Sequence, residues 1–229
     1  GGAVIHDAGG AVVEREIKAT AAAGVNLGKG NFPHYMLKEI YEQPAVIGDT
    51  LQALLNPMSR TVTLPDLPFD LAAVTKLTLV ACGTSYYAAM VARYWVERLA
   101  RVPVEVDIGS EFRYRDAPLP DGGLAMFVSQ SGETADTLAA MRYAKAHGQH
   151  TVALVNVAES SIAREADAVL QTYAGPEIGV ASTKSFTTQL TVLACFTLAL
   201  ARARGAITPV REAELSDALI EIPSRAADV

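Results

Sequence analysis

Strand-like runs, most of them apolar, alternate with helical patterns through the middle of the chain. The strand-like runs lie at residues 77–81, 104–108, 124–128, 151–155 and 168–172. The helical patterns, with apolar residues three and four positions apart, lie at 86–101, 133–147, 160–165 and 179–204. Continuously apolar strands that alternate with helices are typical of a parallel sheet covered on both faces. The pattern therefore predicts an α/β fold built on a five-stranded parallel sheet.

The segment before this core predicts a hairpin followed by a linker. Residues 3–17 alternate around Gly9 and Gly10, which is typical of two short strands joined by a glycine turn. Because a two-stranded hairpin is barely stable alone, we expect this piece to belong to a neighbouring domain. Residues 18–31 are small and rich in turn formers, which predicts a linker.

One predicted helix precedes the core and another follows it. The first spans about residues 35–55, and Pro44 inside it predicts a kink or a break into two helices because proline lacks the backbone N–H. The last is a charged amphipathic helix over 209–220, which we expect to end at Pro223 and to lead towards a further domain.

Composition and charge narrow the classes of function. The chain has 229 residues, half of them hydrophobic, which is enough for one domain with extensions. Its net charge of −6 argues against a nucleic-acid surface but allows a small anion held by local donors. No apolar run approaches the roughly 20 residues that span a membrane, and no secretory signal opens the chain. We therefore expect neither a nucleic acid nor a membrane as partner.

The cysteines, the histidines and the first residues add three expectations. Cys82 and Cys195 lie far apart, so a disulfide stays open as an alternative, but a reduced, cytoplasmic protein is expected. The chain starts at Gly1 without a methionine, which suggests a piece of a longer protein or a processed one. The four histidines show no metal-binding spacing, and neither a metal nor a cofactor is expected.

A hydroxyl-rich turn at residues 129–134 joins a predicted strand to a predicted helix. It offers the hydroxyls of Ser129, Ser131 and Thr134, the Gln130 amide and a flexible glycine beside the unpaired N–H groups of the helix start. That combination suits a phosphate, and the absence of a lysine excludes a Walker-type nucleotide loop. An ordinary capping box is the alternative interpretation.

Three further loops are predicted at the same edge of the sheet. They lie at 82–85, 156–161 and 173–180, and all are polar or contain glycine. Ligands of open parallel sheets bind outside the carboxyl ends of the strands. Two hydroxyl-rich loops that face one edge, each at the start of a helix, favour an anion site over a simple cap.

Four segments of the chain resemble a known family. They read ACGTSY at 81–86, SEFRY at 110–114, SQSGETADT at 129–137 and EIGVASTK at 177–184. With the helix that begins near His34 and the stretch VERE at 13–16, they are similar to the first sugar isomerase (SIS) domain of the glutamine–fructose-6-phosphate aminotransferases, also called glucosamine-6-phosphate synthases. The resemblance covers nearly the whole chain. It implies an SIS-type parallel sheet with helices on both faces, a flavodoxin-like three-layer sandwich.

The resemblance also implies a division of the chain into parts. These are the end of a glutaminase domain at 1–17, a linker at 18–33, the sugar-phosphate-binding SIS domain at 34–205, and a helix and linker towards a second SIS domain at 206–229. The glutaminase domain and the second SIS domain are thus expected partners within the same chain. A homodimer is expected from the family, and the strongly apolar stretch at 187–200 points the same way.

Members of this family take ammonia from glutamine and make glucosamine 6-phosphate from fructose 6-phosphate, a step of amino-sugar biosynthesis. The expected ligand is therefore a hexose 6-phosphate, either fructose 6-phosphate or glucosamine 6-phosphate. The catalytic carboxylate, histidine and lysine of the family lie in its second SIS domain and tail, and they have no matching positions here. No catalytic residue is assigned, and the chain alone is expected to be inactive. Cys82 is interior and does not match the N-terminal glutaminase nucleophile.

The residues that match the family's sugar-phosphate site come from three loops. The phosphate-binding turn is matched by Ser129, Gln130, Ser131 and Thr134, the neighbouring loop by Thr84 and Ser85, and the segment beside the sugar by Val180, Ala181 and Ser182. Glu177 is interpreted as a further carboxylate behind the pocket, with a solvated loop residue as the alternative.

Two other functions are weighed against the enzyme part. A ligand-sensing SIS domain of a sugar-responsive regulator would carry a basic helix-turn-helix in front, whereas residues 1–31 predict a hairpin and a linker. A sugar-phosphate isomerase or deaminase without a glutaminase domain would have no reason to carry the stretch at 13–16.

Overall fold

The computed structural model describes residues 4–14 and 28–229. In chain order the elements are α1 Tyr35–Leu54, β1 Leu55–Asn56, β2 Thr61–Val62, a short 3-10 helix Leu71–Ala73, β3 Leu77–Ala81, α2 Gly83–Leu99, β4 Val104–Ile108, α3 Gly109–Phe112, β5 Leu124–Ser129, α4 Ala135–Ala146, β6 His150–Val155, α5 Ser161–Glu165, β7 Ala168–Gln171, α6 Lys184–Ala203, α7 Pro209–Ile220 and α8 Ile222–Ala227.

Five of these strands form the predicted parallel sheet, in the order β4-β3-β5-β6-β7. Neighbouring strands are level at their carboxyl ends, because Ala81 of β3 pairs with Ile108 of β4 and with Val128 of β5. The chain leaves β3 towards one edge of the sheet and returns at β5 towards the other. In this flavodoxin-like order the crevice between β3 and β5 is the point at which ligands bind.

Helices cover both faces of the sheet, which explains why its central strands β3, β5 and β6 are almost continuously apolar. Along β5 the side chains alternate: Leu124, Met126 and Val128 belong to the core under α1, α2 and α6, whereas Ala125 and Phe127 belong to the core under α3, α4 and α5. All five are at most 1% exposed. The predicted three-layer α/β sandwich is therefore confirmed.

Helix α6 is the central helix of the larger core layer. Fourteen of its 20 residues are buried, and it packs against α1 and α2. In the described part of the chain it is the one helix long and apolar enough to cross a membrane, but 67% of that stretch is buried inside the fold. The expectation that no apolar run approaches this length was wrong for α6. Helix α6 is therefore buried like a core helix. This burial raises the pKa of the Cys195 thiol to about 12.

The peripheral elements correct three expectations. Helix α1 continues through Pro44, so the predicted break into two helices was wrong. Helix α7 has the predicted bounds, but Pro223 does not end the helical region, because it lies in the first turn of α8, where the missing N–H costs no helix bond. Helix α6 begins at Lys184, five residues later than predicted.

The predicted hairpin near the start is confirmed for the residues that the structure describes. His6 and Val12 form an antiparallel bridge, and the Val13 N–H donates to the Ile5 carbonyl at 2.8 Å. The stretch at 15–27, with most of the predicted linker and the end of the VERE segment, lies outside the described residues.

Candidate functional site

Two helices begin side by side at the carboxyl edge of the sheet. Helix α2 follows β3 and α4 follows β5, on opposite faces of two adjacent strands. Neither helix has a side chain that caps its first turn. Their first backbone N–H groups are therefore available to a ligand, and the partial positive charges of both helix ends meet at this crevice.

The predicted phosphate turn is held together by its own hydroxyls. Ser129 Oγ accepts the Gly132 N–H at 3.0 Å and lies 3.1 Å from Thr134 Oγ1. Ser131 Oγ accepts the Glu133 N–H at 3.2 Å. These bonds close the turn locally and leave the start of α4 uncapped, so the capping-box interpretation does not describe it.

Gly132 is required in this turn for two reasons. Its φ of +64° is a conformation that L side chains rarely adopt, and a Cβ here would overlap with Ser160 Oγ and Cβ. Ser160 is 1% exposed, and its hydroxyl is buried without a hydrogen-bond partner among the described residues. The turn therefore packs directly on the start of α5.

Three hydrogen bonds fasten the turn to the loop after β6 and to the first residues of α5. The Asn156 N–H donates to the Gln130 carbonyl at 3.1 Å, and the Ile162 N–H donates to the Gly132 carbonyl at 3.0 Å. The Ser161 N–H donates to Glu133 Oε1 at 2.8 Å. This backbone bond, with a second from the Ser161 hydroxyl, lowers the pKa of Glu133. Its carboxylate is thus engaged on the α5 side of the turn.

The loop after β3 lies against the first turn of α4. Cys82 Sγ is 3.8 Å from Thr137 Oγ1, and a Cβ on Gly109 would be 3.2 Å from both the Cys82 sulfur and the Thr137 N–H nitrogen. Ser85 is 8% exposed and Thr84 is exposed at the start of α2. The structure thus brings this loop to the phosphate turn, as the sequence predicted.

The third loop, between β7 and α6, is held by carboxylates. Glu177 accepts the Ser182 hydroxyl at 3.0 Å, the Thr183 N–H at 2.9 Å and the Ser185 N–H at 3.2 Å. These bonds cap α6, and they explain why the helix starts at residue 184. The interpretation of Glu177 as a carboxylate behind the pocket stays a prediction, but its contacts in this structure are those of a capping residue.

Asn156 joins the phosphate turn to this third loop. Its side chain donates to the Gly175 carbonyl at 2.8 Å and accepts the Ala174 N–H and the Thr172 hydroxyl, both at 3.0 Å. Its backbone holds Gln130, as described above. The sequence placed a loop here but gave no reason to single out this side chain.

Glu39 also reaches the third loop, from helix α1. It is 2% exposed and accepts the backbone N–H groups of Ile178 and Gly179. Three residues further along α1, Glu42 pairs with the buried Lys184 at 2.8 Å. The buried ammonium group of Lys184 is therefore paired. Nothing in the sequence near Glu39 pointed to this contact, since its partners lie about 140 residues away.

The arrangement has a simple electrostatic character. The four side chains expected to bind the phosphate are neutral. The carboxylate of Glu133 in the same turn is bonded to the Ser161 N–H, and the nearby Asp136 is paired with Arg113 at 2.8 Å. A dianion here would be held by backbone N–H groups, hydroxyls and two helix ends, without a buried lysine.

The fold and this crevice are those of a sugar-isomerase domain, and the comparison with protein families agrees. The SIS domain model matches residues 70–199, so the chain belongs to the SIS domain family. The match lies inside the predicted domain at 34–205 and includes all three loops.

Individual relatives of the chain point to a particular group of enzymes within this family. The chain is 54% identical over 223 residues to a glutamine–fructose-6-phosphate aminotransferase (isomerizing) of Zymomonas mobilis, and 55% identical over 227 residues to one of Bradyrhizobium diazoefficiens. These matches cover 97% and 99% of the chain but only 37% of either relative. The C-terminal domain of glucosamine-fructose-6-phosphate aminotransferase from Francisella tularensis superposes with a TM-score of 0.82 at 44% identity, over 87% of this chain and 56% of that one. The recognised resemblance is thus confirmed, and the chain spans just over a third of these relatives.

Proposed function

We propose that the chain is the sugar-phosphate-binding SIS part of an enzyme that makes glucosamine 6-phosphate from fructose 6-phosphate and glutamine. The observation that carries the proposal is the crevice between β3 and β5, where two uncapped helices begin beside neutral hydroxyls. Relatives of 54–55% identity named for this reaction support it.

In this proposal each of the three loops contacts a different part of the ligand. Ser129, Gln130, Ser131 and Thr134 hold the phosphate at the start of α4, and Thr84 and Ser85 approach it from the start of α2. Val180, Ala181 and Ser182 line the sugar. Since the donors are neutral, the helix ends provide the positive potential that a phosphate dianion needs.

A titration of the chain with sugars tests the proposal. Fructose 6-phosphate and glucosamine 6-phosphate should bind, and free fructose should bind far more weakly. Ser131→Ala should weaken hexose 6-phosphate binding by about 1–3 kcal/mol, the range for losing a hydrogen bond to a charged group. Ser59→Ala is the control, because the Ser59 hydroxyl also makes one local hydrogen bond, to the Thr61 hydroxyl, but lies in the β1–β2 turn. Equal affinity for phosphorylated and free sugars would sink the proposal.

The chain alone should bind without catalysis. Moving a proton between the first two carbons of a ketose phosphate needs a positioned base, and the site residues proposed here are hydroxyls, an amide and apolar side chains. Binding without preferential stabilisation of the transition state gives no rate enhancement. Turnover of fructose 6-phosphate and ammonium above the rate without protein, abolished by Glu177→Gln, would place the chemistry in this part instead.

The remaining parts of the proposal concern assembly and compartment. The family resemblance supports two further domains in the same chain, a glutaminase domain and a second SIS domain. It also supports the division of this chain into parts at 1–17, 18–33, 34–205 and 206–229. A cytoplasmic location is supported by two free cysteines. The apolar stretch at 187–200 gives no support to a dimer, because the chain itself buries most of it.

A better reason for a dimer is the outer face of α2. Tyr87, Met90, Val91 and Tyr94 lie at helical spacing and are 37–70% exposed, and exposed apolar stripes are typical of interfaces. Sedimentation at micromolar concentration tests the dimer, and a clean monomer would contradict it for this chain.

A further inference from the structure

Glu39 is a buried carboxylate to which the proposed function gives no role. It lies on α1 with 2% of its surface exposed. None of the ion pairs among the described residues includes it, whereas Glu42, one turn along the same helix, contacts both Lys38 and Lys184. A buried carboxylate without a basic partner is costly and must be compensated by hydrogen bonds.

The compensation comes from the backbone of the loop between β7 and α6. The Ile178 N–H donates to Glu39 Oε1 at 2.6 Å, and the Gly179 N–H lies 3.0 Å from the same oxygen and 3.1 Å from Oε2. A Cβ on residue 179 would be 2.5 Å from Oε2 and 3.4 Å from the Met36 backbone. The loop therefore lies directly on α1, and glycine is needed for the approach.

Two carboxylates thus hold the loop on either side of its tip. Glu39 fixes Gly179 before the tip, and Glu177 fixes Ser182 and Thr183 after it. Val180 and Ala181 lie between these two attachments and are exposed, Val180 completely. Within the described residues the backbone N–H groups of Val180 and Ala181 make no hydrogen bond. The tip is held in place from both ends while its own surface stays open.

We infer that Glu39 is a positioning residue that fixes the Val180–Ala181 tip where it meets the sugar of a bound hexose 6-phosphate. The inference rests on the proposed function of this crevice. Its physical reason is that a loop already held in its binding conformation loses little entropy when the ligand arrives. Because Glu39 acts on the sugar-side loop, the phosphate turn at 129–134 should work without it.

The test compares two ligands on one variant. Glu39→Ala removes both acceptor oxygens and should weaken fructose 6-phosphate binding at least tenfold, while binding of inorganic phosphate stays within twofold. Glu39→Gln keeps the shape and one acceptor oxygen, so it should give an intermediate affinity. Titrations followed by backbone amide chemical shifts measure both ligands on the same sample.

Thr50→Val is the matched control. Thr50 is also buried on α1 and also holds this loop, by accepting the Tyr173 N–H at 3.2 Å, but it does so at the end away from the tip. Losing that bond should leave fructose 6-phosphate affinity within twofold. If Thr50→Val weakens fructose 6-phosphate binding as much as Glu39→Ala does, the specific role of Glu39 is wrong.

Amide hydrogen exchange gives a readout that does not depend on ligand. The amides of Ile178 and Gly179 should exchange faster in Glu39→Gln than in the wild type, while the amides of β5 keep their protection. Unchanged exchange, or parallel loss of affinity for both ligands in Glu39→Ala, would overturn the inference. A wild-type chain that binds no hexose 6-phosphate would instead overturn the proposed function, and the exchange data would still decide whether Glu39 holds the tip.

Discussion

The phosphate turn and the sugar-side loop share one crevice but are held in opposite ways. In the turn, Ser129 and Ser131 accept N–H groups two or three residues away. In the loop, Glu177 bonds Ser182 and Thr183 close by, but the part before the tip is held by Glu39, about 140 residues distant, and by Asn156, almost 20 residues distant. The turn is closed by its own hydroxyls and then fastened to α5, whereas the loop before its tip depends on distant side chains.

This difference matches what each loop would have to do. A phosphate is the same group on every sugar phosphate, and a short rigid turn at a helix start suits it. A sugar differs from one ligand to the next, and a loop held by distant side chains can be altered without changing the turn. Asn156 connects the two, since its backbone holds the turn and its side chain holds the loop.

The largest effect should come from Gly132→Ala in the turn. The left-handed conformation costs an alanine about 1–2 kcal/mol, and the overlap with Ser160 adds about 1–3 kcal/mol of overpacking. We expect a loss of about 2–5 kcal/mol in the free energy of unfolding, measured with urea, and loss of phosphate binding.

Gly148→Ala is the control for Gly132→Ala, because Gly148 has a φ of +74° with nothing within 4 Å of a Cβ. It should cost only the conformational part, about 1–2 kcal/mol. Adding Ser160→Gly to Gly132→Ala should recover the overpacking part. If both single glycine variants lose the same stability, packing on Ser160 does not shape the turn.

A smaller effect is expected from Asn156→Ala, which should loosen the loop and spare the turn. It leaves the partly buried Ala174 N–H without its acceptor, at a cost of about 1–3 kcal/mol. The backbone bond to Gln130 remains, so inorganic phosphate should bind as before while fructose 6-phosphate binds more weakly. Asn56→Ala is the control, since Asn56 accepts two N–H groups in an exposed turn where water can replace it. An equal loss of affinity for inorganic phosphate and for fructose 6-phosphate would contradict the conclusion that the turn and the loop are held independently.

Glu177→Gln should have a modest effect on stability. It keeps an acceptor for Thr183 and Ser185 but removes the negative charge from the start of α6, which is worth about 0.3–1 kcal/mol. Glu177→Ala removes the cap as well and should cost about 0.5–2 kcal/mol. Urea unfolding of both variants gives the order of their stabilities. An alanine variant as stable as the glutamine variant would show that the hydrogen bonds to residue 177 do not stabilise the start of α6.

The smallest expected effect is the loss, at acid pH, of the hydrogen bonds between Glu133 in the turn and Ser161. The pKa of Glu133 is lowered by the N–H and hydroxyl of Ser161, so its stabilising contribution is present above the ordinary pKa of 4.5 and is lost as the pH falls through the lower folded value. The amide proton signal of Ser161 should therefore titrate below pH 4.5 in the wild type and stay constant in Glu133→Gln. A midpoint above 4.5 would contradict the hydrogen bond that ties the turn to α5.

The sequence by itself determined the sheet and the turn. The runs in β3, β5 and β6 are almost wholly apolar, and such runs specify burial on both faces. The edge strand β4 alternates instead, with Glu105 and Asp107 between its apolar residues. The predicted strand ends agree with the observed ones to within one residue. The hydroxyls and the glycine of the turn act on neighbours a few residues away, so their chemistry can be recognised in the sequence.

Only the tertiary structure decided how the third loop is held. Residues 179–183 have no pattern that forbids a helix, and α6 begins at Lys184 because the Glu177 carboxylate takes the N–H groups of the first turn. Glu39 looks like any glutamate on a helix, and Asn156 like any loop asparagine. Their roles depend on which backbone N–H groups the fold brings to them across long stretches of chain. Hydrogen bonds of that kind have no local signal, because the partner is chosen by packing and not by spacing.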